Sequence, residues 1–269
     1  MTEKKNIKNR ISGKVLIALL ICFFMFAIGC SQETADKPVA DNSLGEIKQR
    51  GKIVVGVQDD YPPMEFLDEQ GNHAGFEIDL LKHLAEEMGV EIKFDNMEWQ
   101  ELFGAVKSER VDIIMATITI TPERQEEMLF SIPYFDTGQT ILVLESNAEI
   151  TSAQDLAGKK ISAVPGTTCE QLALEYTNES HVINHASLTD SLEPLRRGEV
   201  DAVINDYIGI ANFANKNPDL KIVDEPLTQE FYGIATKLRK EALMDVINTI
   251  LREMKRTGWI DELRQEWSI

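Results

Sequence analysis

The sequence predicts an α/β fold, and two observations indicate it. A β-branched run at residues 53–57 is followed by a helical stretch at 76–88, whose apolar residues stand at 76, 80, 81, 84, 85 and 88 before Gly89. Strand-like and helical stretches continue to alternate along the 269 residues, a length that allows one or two domains. Because strand–helix–strand connections favour parallel pairing, we predict largely parallel sheets flanked by helices.

The later strands follow in chain order, each a short apolar or β-branched run between polar turns. They are predicted at residues 90–94, 112–116, 140–144, 160–164, 200–204 and 232–235. Two segments, 102–116 and 192–204, share one pattern: a helix, a polar turn, Val-Asp and an apolar strand. Two similar lobes are the simplest interpretation, with chance similarity between two helix–strand units as the alternative.

The first 44 residues predict a targeting segment followed by a tether. Basic residues precede an uncharged run over 15–28, which is shorter than the roughly 20 residues of a membrane-spanning helix. We therefore predict a signal peptide at 1–29. Ala27-Ile28-Gly29-Cys30 resembles a bacterial lipobox, which implies cleavage before Cys30 and its lipidation. The alternatives are a conventional secreted protein and an uncleaved anchor. Residues 30–44 are polar and predict a flexible tether, so that the folded body begins near Gly45.

Composition excludes several classes of function. The net charge of −18 opposes nucleic-acid binding. Two of the three cysteines lie in the first 30 residues, so Cys169 has no partner for a disulfide, and we interpret it as incidental and not as a nucleophile. The four histidines show no metal-ligand spacing on a common face: His181 and His185 stand four apart, but Val182-Ile183 between them favours a strand. We expect no metal, no cofactor and no nucleic-acid partner.

Polar residues follow four of the predicted strands. They are residues 58–64, 117–124, 165–168 and 205–206. Ligands of open α/β sheets bind outside the carboxyl ends of the strands, so these four segments predict one cleft.

Two opposite charges stand among these segments. Thr121-Pro122 predicts the start of a helix with Arg124 in its first turn, where the helix dipole disfavours a cation, so an anionic partner is expected. The residues from Gly166 to Thr168 offer backbone amides at another helix start, which suit an anion, and Asp206 supplies the negative charge. Together they predict a zwitterion, a free amino acid.

Each of these residues also has a plainer interpretation. Arg124 could pair with Glu127 or with solvent, the Gly166 segment could be an ordinary capped turn, and Asp206 could be a helix N-cap. Tyr61 and Trp99 offer flat faces to a side chain or a cation, with packing in the core as the alternative.

Several motifs occur in an order that resembles a known family. They are Tyr61-Pro-Pro-Met-Glu-Phe66, Gly75-Phe-Glu-Ile-Asp-Leu80, Asp112 through Thr119, Thr121-Pro-Glu-Arg124, Phe130-Ser-Ile-Pro-Tyr134 and Gly166-Thr-Thr168. From about Gly45 to Trp267 the chain resembles the polar amino-acid-binding lipoproteins of ABC importers, which include glutamine-, histidine- and arginine-binding proteins.

The resemblance implies a two-lobe periplasmic-binding-protein (type II) fold. Each lobe would be a mostly parallel sheet flanked by helices, and two crossing hinge strands would join the lobes. Lobe 1 is then 45–133 plus 233–269, lobe 2 is 139–227, and the hinge strands are 134–138 and 228–232.

The resemblance also implies roles for individual residues. Arg124 would hold the α-carboxylate, helped by the Thr119 hydroxyl and by backbone amides at Thr119 and Thr168. Asp206 would hold the α-ammonium, together with the Thr117 carbonyl and the Thr119 hydroxyl. The expected ligand-binding set is Gln58, Tyr61, Trp99, Ala116, Thr117, Thr119, Arg124, Val164, Thr167, Thr168, Asn205 and Asp206.

The side-chain end of the expected site is less defined. Gln58 stands where many relatives carry Asp or Glu, and Val164 and Asn205 are uncharged. Asp59 could compensate for Gln58, but strand alternation predicts that it faces away. Arginine or lysine stacked between Tyr61 and Trp99, or else glutamine, is the expected ligand.

The resulting expectation is a lipoprotein on the outer face of the bacterial cytoplasmic membrane that delivers an amino acid to an ABC permease, without catalysis. One alternative is an exported dehydratase of the same fold, for which Glu65 and Asp59 are the evident acids although neither is well placed. A second alternative is a sensory or adhesive surface lipoprotein.

Overall fold

The structure, a computed structural model, describes residues 41–223 and 226–269. The predicted signal peptide, Cys30 and all but the end of the predicted tether lie outside the described residues. The first helix, α1 (Ser43–Arg50), begins two residues before the predicted start at Gly45. Ser43 is buried, and its hydroxyl accepts a hydrogen bond from the Leu243 N–H at 3.3 Å, so residues 43 and 44 belong to the folded body.

Lobe 1 contains a five-stranded sheet. Its strands, in spatial order, are β5 (Glu91–Asn96), β1 (Lys52–Val57), β6 (Ile113–Ile114), β15 (Ala235–Lys237) and β7 (Met128–Phe130). A small antiparallel sheet follows β1 and comprises β2 (Asp60–Tyr61), β3 (Glu65–Leu67) and β4 (His73–Ala74). The remaining helices are α2 (Phe76–Met88), α3 (Trp99–Lys107), α4 (Pro122–Glu127), α8 (Glu241–Thr257) and α9 (Trp259–Glu266).

Lobe 2 repeats this plan. Its sheet has the order β11 (Val182–Asn184), β10 (Ile161–Ala163), β12 (Ala202–Asp206), β9 (Gln139–Leu144) and β13 (Leu220–Val223). Its helices are α5 (Thr168–Tyr176), α6 (Leu188–Arg196) and α7 (Tyr207–Lys216), with short 3-10 helices at Ala153–Leu156 and Glu179–His181.

Two antiparallel strands, β8 (Phe135–Thr137) and β14 (Glu230–Tyr232), connect the lobes. In each five-stranded sheet, four strands run in one direction, and the strand that follows the connection, β15 or β9, runs against them. The predicted pair of similar, mostly parallel lobes is therefore confirmed.

The structure corrects two predicted strands. Residues 232–235 divide between β14 and β15, because the chain leaves the connection and enters the lobe 1 sheet there. Asn205 and Asp206 lie within β12 and not after it, since they pair with Thr140 and Gln139 of the antiparallel strand β9.

The helical pattern at 76–88 forms α2 as predicted. All six of its predicted apolar positions are buried, and Gly89 ends it in the left-handed conformation at φ 64°. Across residues 41–223 and 226–269, no helix combines the length and apolar character needed to cross a membrane.

Candidate functional site

A cleft of about 470 Å³ lies between the lobes, at the ends of their strands. Lobe 1 contributes Gln58, Asp60, Tyr61, Trp99, Thr117, Thr119 and Arg124, and lobe 2 contributes Val164, Thr167, Thr168, Cys169, Ser187, Leu188, Asn205 and Asp206. Eleven of the twelve expected residues line this cleft. Ala116 does not line it and packs, 1% exposed, in the apolar core of lobe 1.

The start of α4 positions Arg124. Thr121 caps the helix through its hydroxyl, which accepts a hydrogen bond from the Arg124 N–H at 3.2 Å, and Pro122 is the first helical residue, as predicted. The guanidinium donates from Nη1 to the Thr119 carbonyl at 2.8 Å and from Nη2 to the Gly166 carbonyl of lobe 2 at 3.3 Å. Arg124 therefore reaches across the cleft.

Arg124 carries a charge that is largely withdrawn from water. Its guanidinium carbon lies 5.4 Å from the ring centroids of both Trp99 and Phe103, and burial lowers its pKa. Within the described part of the chain, no carboxylate lies within 4 Å of it, and Glu127 pairs with Lys107 instead. The cation thus has carbonyls and ring faces as neighbours, which leaves room for an anion.

Of the three backbone amides predicted at the start of α5, Gly166 N–H donates to Glu170 Oε2 at 2.8 Å and Thr167 N–H to the Val164 carbonyl at 3.4 Å, which leaves the Thr168 N–H for the cleft. The Thr167 hydroxyl caps this helix by accepting from the Glu170 N–H at 3.3 Å. Thr168 is the first helical residue, so its N–H has no partner within the helix. A helix start beside Arg124 suits a carboxylate.

Asp206 supplies the opposite charge. It stands at the N-cap position of α7 but makes no capping hydrogen bond. Its carboxylate instead accepts from the Tyr232 hydroxyl at 2.5 Å and from the Cys169 thiol at 3.8 Å. Burial first, and then the nearby Glu230 charge, raise its pKa to about 7. No lysine or arginine of residues 41–223 and 226–269 lies within 4 Å of this carboxylate.

Tyr61 links the lobes, because its hydroxyl donates to Asn205 Oδ1 at 2.5 Å. Helix α7 approaches this ring closely at Gly209, where an added Cβ would lie 2.4 Å from the tyrosine hydroxyl. The absence of a side chain at Gly209 lets lobe 2 close over Tyr61.

Asp60 lines the cleft within the predicted segment 58–64, although it is not among the twelve expected ligand-binding residues. Its Oδ1 is buried without a hydrogen-bond partner among the described residues, and burial raises its pKa. Asp59 faces away as predicted and contacts His73 Nδ1 at 2.9 Å. The alternation that turns Asp59 away from Gln58 also returns Asp60 to the side of Gln58, and both Gln58 and Asp60 line the cleft.

The hydroxyls of Thr119 and Thr168 are both engaged behind the cleft. They donate to the same oxygen, Glu230 Oε2, at 2.7 and 3.0 Å. The Thr119 hydroxyl proton is thus directed away from the cleft, and its oxygen retains lone pairs for a donor. The expected contribution of this hydroxyl to an α-carboxylate does not fit that geometry, whereas its expected contribution to an α-ammonium does.

Comparison with known proteins assigns the family. A model of the bacterial extracellular solute-binding proteins, family 3, matches residues 53–269. The chain belongs to this family. This confirms the resemblance noted in the sequence and places the two-lobe fold among the type II periplasmic binding proteins.

Individual family members are similar over most of their length. The ABC transporter glutamine-binding protein GlnH of Bacillus subtilis is 32% identical over 96% of this chain and 97% of its own. The L-cystine-binding protein TcyJ of Escherichia coli is 30% identical over 86% and 88%. Among solved structures, the arginine-bound form of truncated ArgBP from T. maritima is 39% identical with a TM-score of 0.75, over 78% of this chain and 99% of that one.

Proposed function

We propose that this protein is the extracytoplasmic receptor of an ABC importer, which captures a free polar L-amino acid between its lobes and delivers it to the permease. One observation carries the proposal: Arg124 and Asp206, opposite charges with no ionic partner within 4 Å among the described residues, line the same cleft. An α-amino acid carries the two complementary charges on one carbon atom.

The two ends of the ligand meet different groups. Arg124 and the Thr168 N–H hold the α-carboxylate, because a guanidinium fork and a helix start both favour a planar anion. Asp206 and the Thr119 oxygen hold the α-ammonium. These groups come from both lobes, so the bound ligand stabilises the closed arrangement over any arrangement that separates them. The function requires no covalent step.

The distal end of the cleft favours a cationic side chain. Asp60 brings a half-buried carboxylate whose Oδ1 is buried without a partner among the described residues, and Gln58 lines the cleft beside it. Tyr61 and Trp99 add ring faces that stack well on a guanidinium. Arginine and then lysine are therefore favoured over glutamine, which places no positive charge near Asp60.

Calorimetry of the purified protein with each of the twenty L-amino acids tests the proposal. We expect L-arginine to bind most tightly. Agmatine lacks the α-carboxylate, D-arginine misplaces the α-ammonium, and both should bind far more weakly. Absence of binding by every amino acid would refute the proposal, and turnover of prephenate or arogenate would establish the dehydratase alternative instead.

Replacing Asp60 by asparagine should change the ligand preference. We expect Asp60→Asn to lower the affinity for L-arginine about tenfold, because an amide cannot neutralise the guanidinium, and to leave the affinity for L-glutamine nearly unchanged. Glu98→Gln is the control, since it removes an equal charge from an exposed residue close to Asp60. An unaltered ratio of arginine to glutamine affinity in Asp60→Asn would exclude this role of Asp60.

The proposal includes a lipid anchor on Cys30 that holds the receptor at the outer face of the cytoplasmic membrane. The basic segment, the apolar run and the lipobox-like Ala27-Ile28-Gly29-Cys30 support it. We expect Cys30→Ser to abolish incorporation of labelled palmitate in cells, because the acceptor thiol is lost. Labelling of Cys30→Ser at the wild-type level would contradict the anchor.

A further inference from the structure

Glu230, on the connecting strand β14, has a buried carboxylate that makes no contact with the ligand in the proposed binding mode. Its side chain accepts four hydrogen bonds. Oε2 accepts from the hydroxyls of Thr119 and Thr168, and Oε1 accepts from Gln139 Nε2 at 2.5 Å and the Thr228 hydroxyl at 3.2 Å. Thr119 belongs to lobe 1 and Thr168 to lobe 2, so this single carboxylate ties the two lobes together behind the cleft.

All four donors to Glu230 are neutral. No lysine or arginine of the described residues lies within 4 Å of this carboxylate, and the charge of Arg124 acts on it only from beyond that distance. The negative charge of Glu230 opposes the ionisation of Asp206 and so raises its pKa. A pair of buried acids in this arrangement attracts a cation from the ligand.

We infer that Glu230 is a positioning residue for the ligand's ammonium group: it orients the hydroxyls of Thr119 and Thr168 from the two lobes and adds its charge to that of Asp206. Its bond to Thr119 leaves the lone pairs of that oxygen for the ammonium. The inference rests on the proposed function, because it assigns Glu230 to one end of the amino-acid site.

The groups facing Asp206 determine how it titrates. They are Glu230 and Tyr232 of β14, Tyr61 of β2, Cys169 of α5 and Arg124 of α4. Burial raises the pKa of both tyrosines and of the thiol well above their ordinary values, so these three are neutral between pH 5 and 8. Glu230 and Arg124 act on Asp206 in opposite directions: Glu230 raises the pKa of Asp206 and Arg124 lowers it.

The test is a titration of ligand affinity against pH in Glu230→Gln. The probe is whichever of L-arginine and L-glutamine binds the wild type, measured by calorimetry from pH 5 to 8.5. Wild-type affinity should fall as the pH drops through about 7, where Asp206 takes up its proton. In Glu230→Gln we expect affinity at pH 8 to be about tenfold lower and the acid midpoint to move down by roughly half a pH unit, because a like charge is removed.

Matched variants separate this role from a structural one. Thr228→Val removes a neutral donor to Glu230 outside the cleft and should leave the midpoint in place. Thr168→Val removes the lobe 2 hydroxyl that Glu230 orients at the cleft, so affinity should fall, whereas the Glu230 carboxylate remains and the midpoint should not move down. If Glu230→Gln does not fold, Thr168→Val provides the test. A ligand affinity and an acid midpoint equal to those of the wild type would then overturn the inference.

The remaining outcomes are distinguishable. A wild type that binds the amino acid and a Glu230→Gln variant with the same affinity and midpoint would overturn the role of Glu230 alone. A Glu230→Gln variant with lower affinity but an unmoved midpoint would reduce Glu230 to a structural link and also overturn it. A wild type that binds no amino acid overturns the proposed function together with this inference.

Discussion

Replacing Arg124 by alanine should weaken amino-acid binding at least a hundredfold, the largest loss of affinity expected of the substitutions considered. The change removes the guanidinium that, among the described residues, alone lines the cleft, and it leaves the ligand's carboxylate with the Thr168 N–H. Losing one partner of a buried, hydrogen-bonded charge pair costs about 2 to 5 kcal/mol. Calorimetry with L-arginine measures the loss directly.

Two further variants define what Arg124 contributes. Arg124→Lys retains the charge but not the planar fork, so its loss should be smaller than that of alanine. Arg110→Ala removes an exposed arginine that pairs with Asp95 at 3.0 Å outside the cleft, and its affinity should equal that of the wild type. Near-normal affinity in Arg124→Ala, with normal thermal stability, would show that the carboxylate binds elsewhere.

Arg124 could be located from the sequence because its signal is local. Thr121 and Pro122 define the start of a helix, and a cation in the first turn of that helix is unfavourable without an anion. Asp206 follows from a similar local rule, since it stands at the end of an apolar run. The structure places both in one cleft, and their spacing of 82 positions along the chain gives no hint of the distance between them.

Glu230 could not be found in this way, because its surroundings are assembled from distant segments. Glu230 receives its hydrogen bonds from Thr119 and Gln139, which lie 111 and 91 positions away. Nothing in the neighbouring Gln229 and Phe231 indicates that Glu230 is buried. Asp60 differs from Glu230, because the alternation that turns Asp59 away from the cleft places Asp60 on the same side as Gln58, so its position could be inferred from the sequence.

The fold was predictable for a related reason. The amphipathic pattern of α2 and the repeated helix–strand unit each arise from consecutive residues, and both are present in the structure. The residues of the reversed strands β9 and β15 contain no signal of strand direction. Their direction follows from the connection that precedes each of them, which composition does not encode.

The second large effect concerns stability. Glu77 and Glu65 form a buried carboxyl pair beneath the cleft, 0% and 1% exposed. Glu77 accepts from the Thr117 N–H at 3.0 and 3.2 Å and from the Tyr134 hydroxyl, and it shares a hydrogen bond with Glu65. Thr117 lies in the cleft wall with a φ of 49°, a left-handed conformation that a β-branched residue adopts only when its surroundings hold it there.

Glu77→Ala should lower the free energy of unfolding by about 3 to 5 kcal/mol, because it leaves three buried polar groups without their partner. Denaturation in urea measures this at pH 6. Glu65→Gln is the matched control, since its amide still donates to Glu77, and we expect a change of less than about 1 kcal/mol. Equal stability of Glu77→Ala and the wild type would show that the pair is not a structural element.

The pH dependence of Glu65→Gln then identifies which residue holds the proton. Burial, followed by the charge of Glu77, raises the pKa of Glu65 well above its ordinary value of 4.5, so Glu65 is the protonated partner and donates to Glu77. A raised pKa in the folded state contributes stability that is complete below pH 4.5 and is lost as the pH rises through the folded pKa. Glutamine has no proton to lose, so the stability of Glu65→Gln relative to the wild type should increase from pH 5 to pH 9. If the two stability curves ran parallel over that range, Glu65 would not carry the shared proton.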